Sequence, residues 1–264
     1  MKTSILVMIA LILFSCKNNN EDSVATKTST EKNPEHHWTY QGETGPEHWS
    51  EIEKDSDCSG DRQSPINIIE VNVKKNASLS ALDIHYSDEV KIHEVTNNGH
   101  SIQYNFEKGD YIKVDGQQYD LKQIHFHEAS EHTVNGVRYP LEIHLVHTGS
   151  NQEIVVLSIL VEEGKNSEPF TFLEQFLPIK KGETKAIDKN FDLNLNFPAD
   201  KSYYTYKGSL TTPPCTENVT WFVFKQPITV ALDQVKLLQD LMPINNYRTE
   251  QPINDRIVES YDIE

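Results

Sequence analysis

Gln123-Ile124-His125-Phe126-His127, followed at 141–147 by Leu-Glu-Ile-His-Leu-Val-His, decides how this chain reads. In an extended strand successive side chains point to opposite faces, so residues two apart share one. His125 and His127 can therefore aim at one point while Phe126 enters the core. A neighbouring antiparallel strand would add His144 to the same face. Three imidazoles with no cysteine beside them are the donor set of a catalytic zinc site that keeps one position for water. At the same parity, Gln123 precedes His125 and Glu142 precedes His144. Ligating histidines pass their second N–H to such groups.

Around this pair the pattern is one of hairpins. Asp115-Gly116 separates Tyr111–Val114 from the run that ends at His127, and Asn135-Gly136 separates 131–134 from 137–139. Both are two-residue hairpin turns in prospect. Glu153–Val161 and Val219–Phe224 are continuous apolar, β-branched runs expected to be buried on both faces. Ala231, Leu232, Val235 and Leu238 fall at helical spacing and predict a helix near 231–241; 170–176 predicts a shorter one. The reading is of a mainly β, mostly antiparallel domain with a few short peripheral helices.

The ends bound the context. Met1-Lys2 precedes an apolar stretch from Ile5 to Phe14 that stops at Ser15-Cys16. This has the make-up of a secretory signal and is too short to span a bilayer. Leu13-Phe14-Ser15-Cys16 resembles the bacterial lipobox, which makes residues 1–15 a lipoprotein signal peptide and Cys16 the lipidated first residue of the mature chain. Residues 16–35 then read as a flexible polar tether, since Val24 is their only sizeable apolar side chain. The expected location is the bacterial cell envelope, on the periplasmic or surface side, anchored to the membrane through Cys16.

Residues 36–264 suffice for one domain with a large core. Removing Lys2 with the leader moves the net charge from −16 to −17, which argues against a nucleic-acid partner. Cys58 and Cys215 are the remaining cysteines, an even pair in a chain read as exported. A disulfide is the default reading, and two buried free thiols the other. In the chain-entropy model a loop this long stabilises by roughly 5 kcal/mol when closed. His36, His37, His48, His85 and His93 read as structural or solvated.

Several segments in order carry a resemblance: Trp38-Thr-Tyr40, Gly45-Pro-Glu-His-Trp49, Gln63-Ser-Pro-Ile-Asn67, Asn97-Asn-Gly-His100, Gln123–His127, Ser130-Glu-His-Thr133, Glu142–His147, Gly208–Pro214 and Asn246-Tyr-Arg248. The chain resembles the α-class carbonic anhydrases across essentially all of residues 36–264. The resemblance implies a large, mostly antiparallel ten-stranded sheet with zinc at the bottom of a conical cleft. It implies reversible hydration of carbon dioxide to bicarbonate and a proton, through attack by zinc-bound hydroxide and a histidine proton shuttle.

Carried over by position, His125, His127 and His144 are the implied Zn2+ ligands, with Gln123 and Glu142 behind them. Thr211 and Glu131 are the implied pair that orients the nucleophile, and Thr212 touches bicarbonate. Val146, Val156, Leu210, Val219 and Trp221 match an apolar wall suited to a small uncharged substrate. His100 matches the proton shuttle, with Tyr40, Asn98 and Gln103 holding the intervening waters. Gln103 departs from the asparagine of well-known animal members. Cys58 and Cys215 match a disulfide of exported bacterial members, while His132 and His147 match positions that do not ligate. Sulfonamides and anions are the implied inhibitors, and monomer and dimer are both compatible. A non-catalytic binding module on the same fold is the rival reading, disfavoured because all three histidines are kept. Ester hydrolysis is expected only as a side activity.

Overall fold

Asp115 and Gly116 adopt φ values of 51° and 78°, and Asn135 and Gly136 repeat the pair at 51° and 78°. Two successive left-handed residues are what a type I′ hairpin turn demands, and Gly tolerates the second position without a Cβ clash. The first turn pairs Tyr111–Val114 with Gln117–His127. The second joins Thr133–Val134 to Val137–Arg138, which with Asn67–Ile68 form a small three-stranded sheet. These features belong to a computed structural model that describes residues 37–263. The leader and tether readings, Cys16 included, lie outside the described residues.

The main sheet follows one path of ten strands: Thr184–Asn190, Lys91–Asn97, Ile102–Phe106, Gln117–His127, Leu141–Gly149, Ile154–Glu163, Glu217–Phe224, Tyr203–Ser209, Glu259–Tyr261 and Lys74–Lys75. Asp83–His85, Tyr111–Val114 and Ile228–Val230 attach off that path and bring the sheet to thirteen. The ten-strand expectation thus describes the spine. Most pairings are antiparallel, but Ile154–Glu163 runs parallel to both Glu217–Phe224 and Ile228–Val230, and Glu259–Tyr261 runs parallel to Lys74–Lys75.

Ile154–Glu163 is buried on both faces, as its unbroken apolar run predicts. Val155, Leu157, Ile159 and Val161 enter the larger apolar cluster on one face. Val156 and Leu160 enter a smaller cluster on the other, with Val219, Trp221 and Val223. The site described below lies against this smaller cluster.

One irregularity places the histidines. Gln123 pairs with Val146 but Leu121 pairs with His147, so Lys122 is an extra residue on its strand. Such a bulge turns over the parity of everything beyond it. Before it, Leu121 is on the core face; after it, Ile124 and Phe126 are. Gln123, His125 and His127 are left on the opposite face.

The first helix, Glu168–Glu174, has the expected length but starts two residues earlier, and the second, Leu232–Gln239, is shorter than expected. Leu232 does not join the buried stripe and is 44% exposed. Ala231 is the N-cap, so Leu232 is the first helical residue. Gln234 takes the inner position, where it bonds Ser167 and Thr171 in the neighbouring segment.

Candidate metal centre

His144 lies directly across from His125 in the antiparallel register, and Glu142 across from His127. The register brings one ring nitrogen from each of His125, His127 and His144 within 4.8 Å of the others. The second nitrogen of each ring is already committed. His125 Nδ1 donates to Gln123 Oε1 at 2.8 Å, His127 Nδ1 to the Asn246 carbonyl at 2.6 Å, and His144 Nε2 to Glu142 Oε1 at 2.7 Å. An imidazole that donates from one nitrogen keeps a lone pair on the other. The lone pairs are therefore on His125 Nε2, His127 Nε2 and His144 Nδ1. His127 Nε2 is buried yet has no hydrogen-bond partner. A buried orphaned acceptor facing two more lone pairs is a fit for a divalent cation.

Burial pushes all three rings below the usual histidine range, His127 to about 4. They are neutral at pH 7, the state in which imidazole ligates.

Glu142 anchors the arrangement. Its Oε2 accepts from the backbone N–H groups of Glu131 and His132 at 2.7 and 2.8 Å. Its Oε1 accepts from His132 Nδ1, His144 Nε2 and Ser158 Oγ at 2.7, 2.7 and 2.6 Å. Burial alone would raise this carboxyl, but His132 and His144 outweigh it and hold the group well below the ordinary range. His132, Glu142 and His144 also lie within ligating distance of one another. Their atoms satisfy each other, and His132 Nε2 is taken by the Tyr206 hydroxyl at 2.8 Å. This cluster braces His144. His147, across the sheet, pairs with the Tyr86 hydroxyl at 2.5 Å.

Glu131 is fully buried, and burial pushes it up to about 7 against the opposing effects of His144, Thr211 and the Arg248 backbone. Oε1 accepts from Arg248 N at 2.8 Å. Oε2 has no formed hydrogen bond and stands 3.4 Å from His127 Nε2 and 3.9 Å from His144 Nδ1. Arg248 is itself buried, with Nη1 on Gln63 Oε1 and Ser64 O and Nη2 on Cys58 O. Cys58 and Cys215 form a disulfide, which fastens this network to the turn that follows Thr211 and Thr212.

A cleft of about 130 Å³ opens onto the His125 and His127 rings. Tyr40, Asn98, His100, Gln103, Gln123, His125, His127 and Thr212 line it with Trp38 and Ser101. Val156, Val219 and Trp221 are buried in one apolar cluster with Val146 and Leu210 packed against it. The Trp221 ring lies 4.9 Å from that of His144. The cleft lining thus brings Tyr40, Asn98, His100 and Gln103 together with His125 and His127, while the five apolar residues are not part of it and approach the rings through Trp221. A larger depression of about 500 Å³, bounded by Gln41–His48 and 245–249, shares only Tyr40 with the cleft.

Two participants escape sequence reasoning. Asn246 holds His127 through a main-chain carbonyl, which no side-chain pattern announces, although Asn246-Tyr-Arg248 is itself among the resembling segments. His37, read as structural or solvated, is exposed but bonded to His100.

A model of the eukaryotic-type carbonic anhydrase family matches residues 44–262. The chain belongs to that family. A carbonic anhydrase of Klebsiella pneumoniae is 39% identical over 226 residues, spanning 84% of this chain and 90% of its own. The structure of the α-carbonic anhydrase of Thermovibrio ammonificans in complex with the inhibitor sulfanilamide is similar at a TM-score of 0.80 and 39% identity, covering 84% of this chain and 98% of that one. The Photobacterium profundum α-carbonic anhydrase is similar at 0.77 and 38%, covering 84% and 100%. The carbonic anhydrase fold accounts for the two-faced sheet and for the cleft at His125 and His127.

Proposed function

We propose that the chain catalyses the reversible hydration of carbon dioxide to bicarbonate and a proton, with zinc held by His125 Nε2, His127 Nε2 and His144 Nδ1. The observation that carries this reading is the set of three outward hydrogen bonds that leave three neutral lone pairs converging. Zinc, when bound, supplies a water acidic enough to act as a nucleophile near neutral pH, for which this family is itself the reference case.

The protein's part is orientation. With Oε1 of Glu131 occupied by Arg248 N, Oε2 is the oxygen left for the Thr211 hydroxyl. Thr211 Oγ, with its O–H donated to Glu131 in a hydrogen bond, is left to accept, so it would fix the nucleophile's O–H and turn a lone pair toward the substrate. The apolar cluster of Val156, Val219 and Trp221, with Val146 and Leu210 packed against it, supports an apolar face for carbon dioxide beside His144. Thr212 lines the cleft, which supports a contact with bicarbonate. His100 takes the released proton outward through water held by Tyr40, Asn98 and Gln103. The Gln103 amide N–H₂ is tied to Asn105 Oδ1 at 2.6 Å, which leaves its carbonyl oxygen to the water.

Residues 1–15 serve as the lipoprotein signal, Cys16 as the membrane anchor and 16–35 as the tether. The Cys58–Cys215 disulfide supports this reading, because such bonds persist in oxidising compartments outside the cytosol. The sulfanilamide complex of the Thermovibrio relative supports inhibition by sulfonamides. Stopped-flow hydration by the zinc-loaded protein tests the proposal. Turnover should disappear with sulfanilamide or with chelation; a rate no faster than the uncatalysed one would reject it.

A further inference from the structure

His100 is held by both its backbone and its ring. Its N–H donates to Asn98 Oδ1 at 2.9 Å, and Asn246 Nδ2 donates to its carbonyl at 2.9 Å. The ring stacks on Trp38 at 3.7 Å between centroids and 17° between planes. Trp38 is in turn set edge-on against Tyr40 and Trp49. In this position His100 Nε2 lies 2.9 Å from His37 Nε2. His100 lines the cleft, whereas His37 is exposed and is not part of its lining.

We propose that His37 is a second station of the proton path, receiving from His100 through this direct N–H···N hydrogen bond and releasing to buffer. The inference rests on the hydration reading above. A proton arriving from cleft water adds to His100 Nδ1, since Nε2 is engaged. The Nε2–H bond of His100 then breaks as the proton forms a bond to His37 Nε2. His37 gives its Nδ1 proton to a buffer base, so one proton enters and one leaves. Tautomer exchange with solvent returns both rings to the starting state.

The surroundings favour outward movement. Burial first, then His37 and Lys181, push His100 down to about 4. Lys181 lies over the Asn98-Gly99-His100 turn, its Cε 2.6 Å from where a Cβ on Gly99 would stand. The other rings against His100 are Trp38 and Tyr40. None of these neighbours is acidic, so charge rests poorly on His100 and is better solvated on the exposed ring beyond it.

The test uses full-length, zinc-loaded protein carrying His37→Ala, His37→Gln or His100→Ala, assayed over a series of buffer concentrations. At low buffer, kcat of both His37 variants should fall by roughly tenfold and recover with added imidazole, while kcat/KM stays at the wild-type value. Glutamine can hold His100 in place but cannot relay a proton. Full activity in His37→Gln would therefore reduce His37 to a support and overturn the proposal. Loss in His100→Ala with none in His37→Ala would also overturn it and leave the hydration reading standing. Faster turnover in His37→Ala would make His37 a restraint and overturn it. Wild-type protein without hydration activity would overturn both. In 15N spectra of the zinc-free protein, His37→Ala should move the His100 Nε2 resonance; an unmoved resonance counts against the relay.

Discussion

The hydrogen bonds behind the three rings do work that the ring positions alone do not. Each selects the tautomer, and a ring in the wrong tautomer would present N–H to the cation. Glu142 is the most heavily committed, with five donors on two oxygens. Glu142→Gln must turn an N–H₂ toward some of those donors. It should weaken zinc affinity by about 10- to 100-fold in competition with a chelator. Affinity equal to wild type would show that Glu142 does not brace His144. Thr211→Ala should retain zinc while kcat/KM drops by about 100-fold, and Thr211→Ser should restore most of it. Equal losses in the two variants would contradict a role for the hydroxyl. Gln123, Glu142 and the three histidines were legible from alternation alone, because parity along a strand is a local property. The Asn246 carbonyl was not, since it reaches His127 across 119 residues of sequence.

At the scale of elements, the Lys122 bulge is the device that separates ligand face from core face. Its side chain is exposed and its contribution is its length of backbone. Lys122→Ala should therefore keep stoichiometric zinc by elemental analysis. Deleting Lys122 forces one half of the strand to present the wrong face, and should cost metal binding and several degrees of melting temperature. A deletion variant that still binds zinc would show that the neighbouring strands, and not this register, set the face. The disulfide acts on a second element, the turn after Thr211 and Thr212. Replacing Cys58 and Cys215 with serine should lower unfolding free energy by about 2–5 kcal/mol in denaturant titrations. An unchanged midpoint would assign the turn's position to Arg248 and its neighbours. The hairpins were readable because Asp-Gly and Asn-Gly carry their geometry with them. The bulge was not, as Lys122 has no sequence mark that distinguishes it from a regular strand residue.

For the whole molecule, Asp110 sets a pH dependence. It is buried; Ser87 N donates to Oδ1 at 2.9 Å, and Oδ2 has no partner. Burial, reinforced by Asp192 and opposed by Ser87, pushes it up to about 6. A carboxyl raised in the folded state stabilises fully below its unfolded value and loses that contribution as pH climbs through about 6. Asp110→Asn keeps the acceptor for Ser87 and removes the charge. Relative to wild type it should gain about 1 kcal/mol of stability between pH 4 and pH 7, read as a growing difference in melting temperature. A constant difference would show that the carboxyl keeps its charge on burial. The helix face was misread at Leu232 for a related reason: which side is buried depends on the neighbour it meets, and Gln234 found partners at Ser167 and Thr171.

Local rules were enough for strand alternation, the hairpin turns, the shared face of Gln123, His125 and His127 and that of Glu142 and His144, because each depends on residues within a few positions. Folding in three dimensions decided which nitrogen of each ring keeps its lone pair, that a backbone carbonyl holds His127, and that His37 meets His100. Those outcomes depend on which distant segments the sheet brings into contact, and no short-range pattern encodes that.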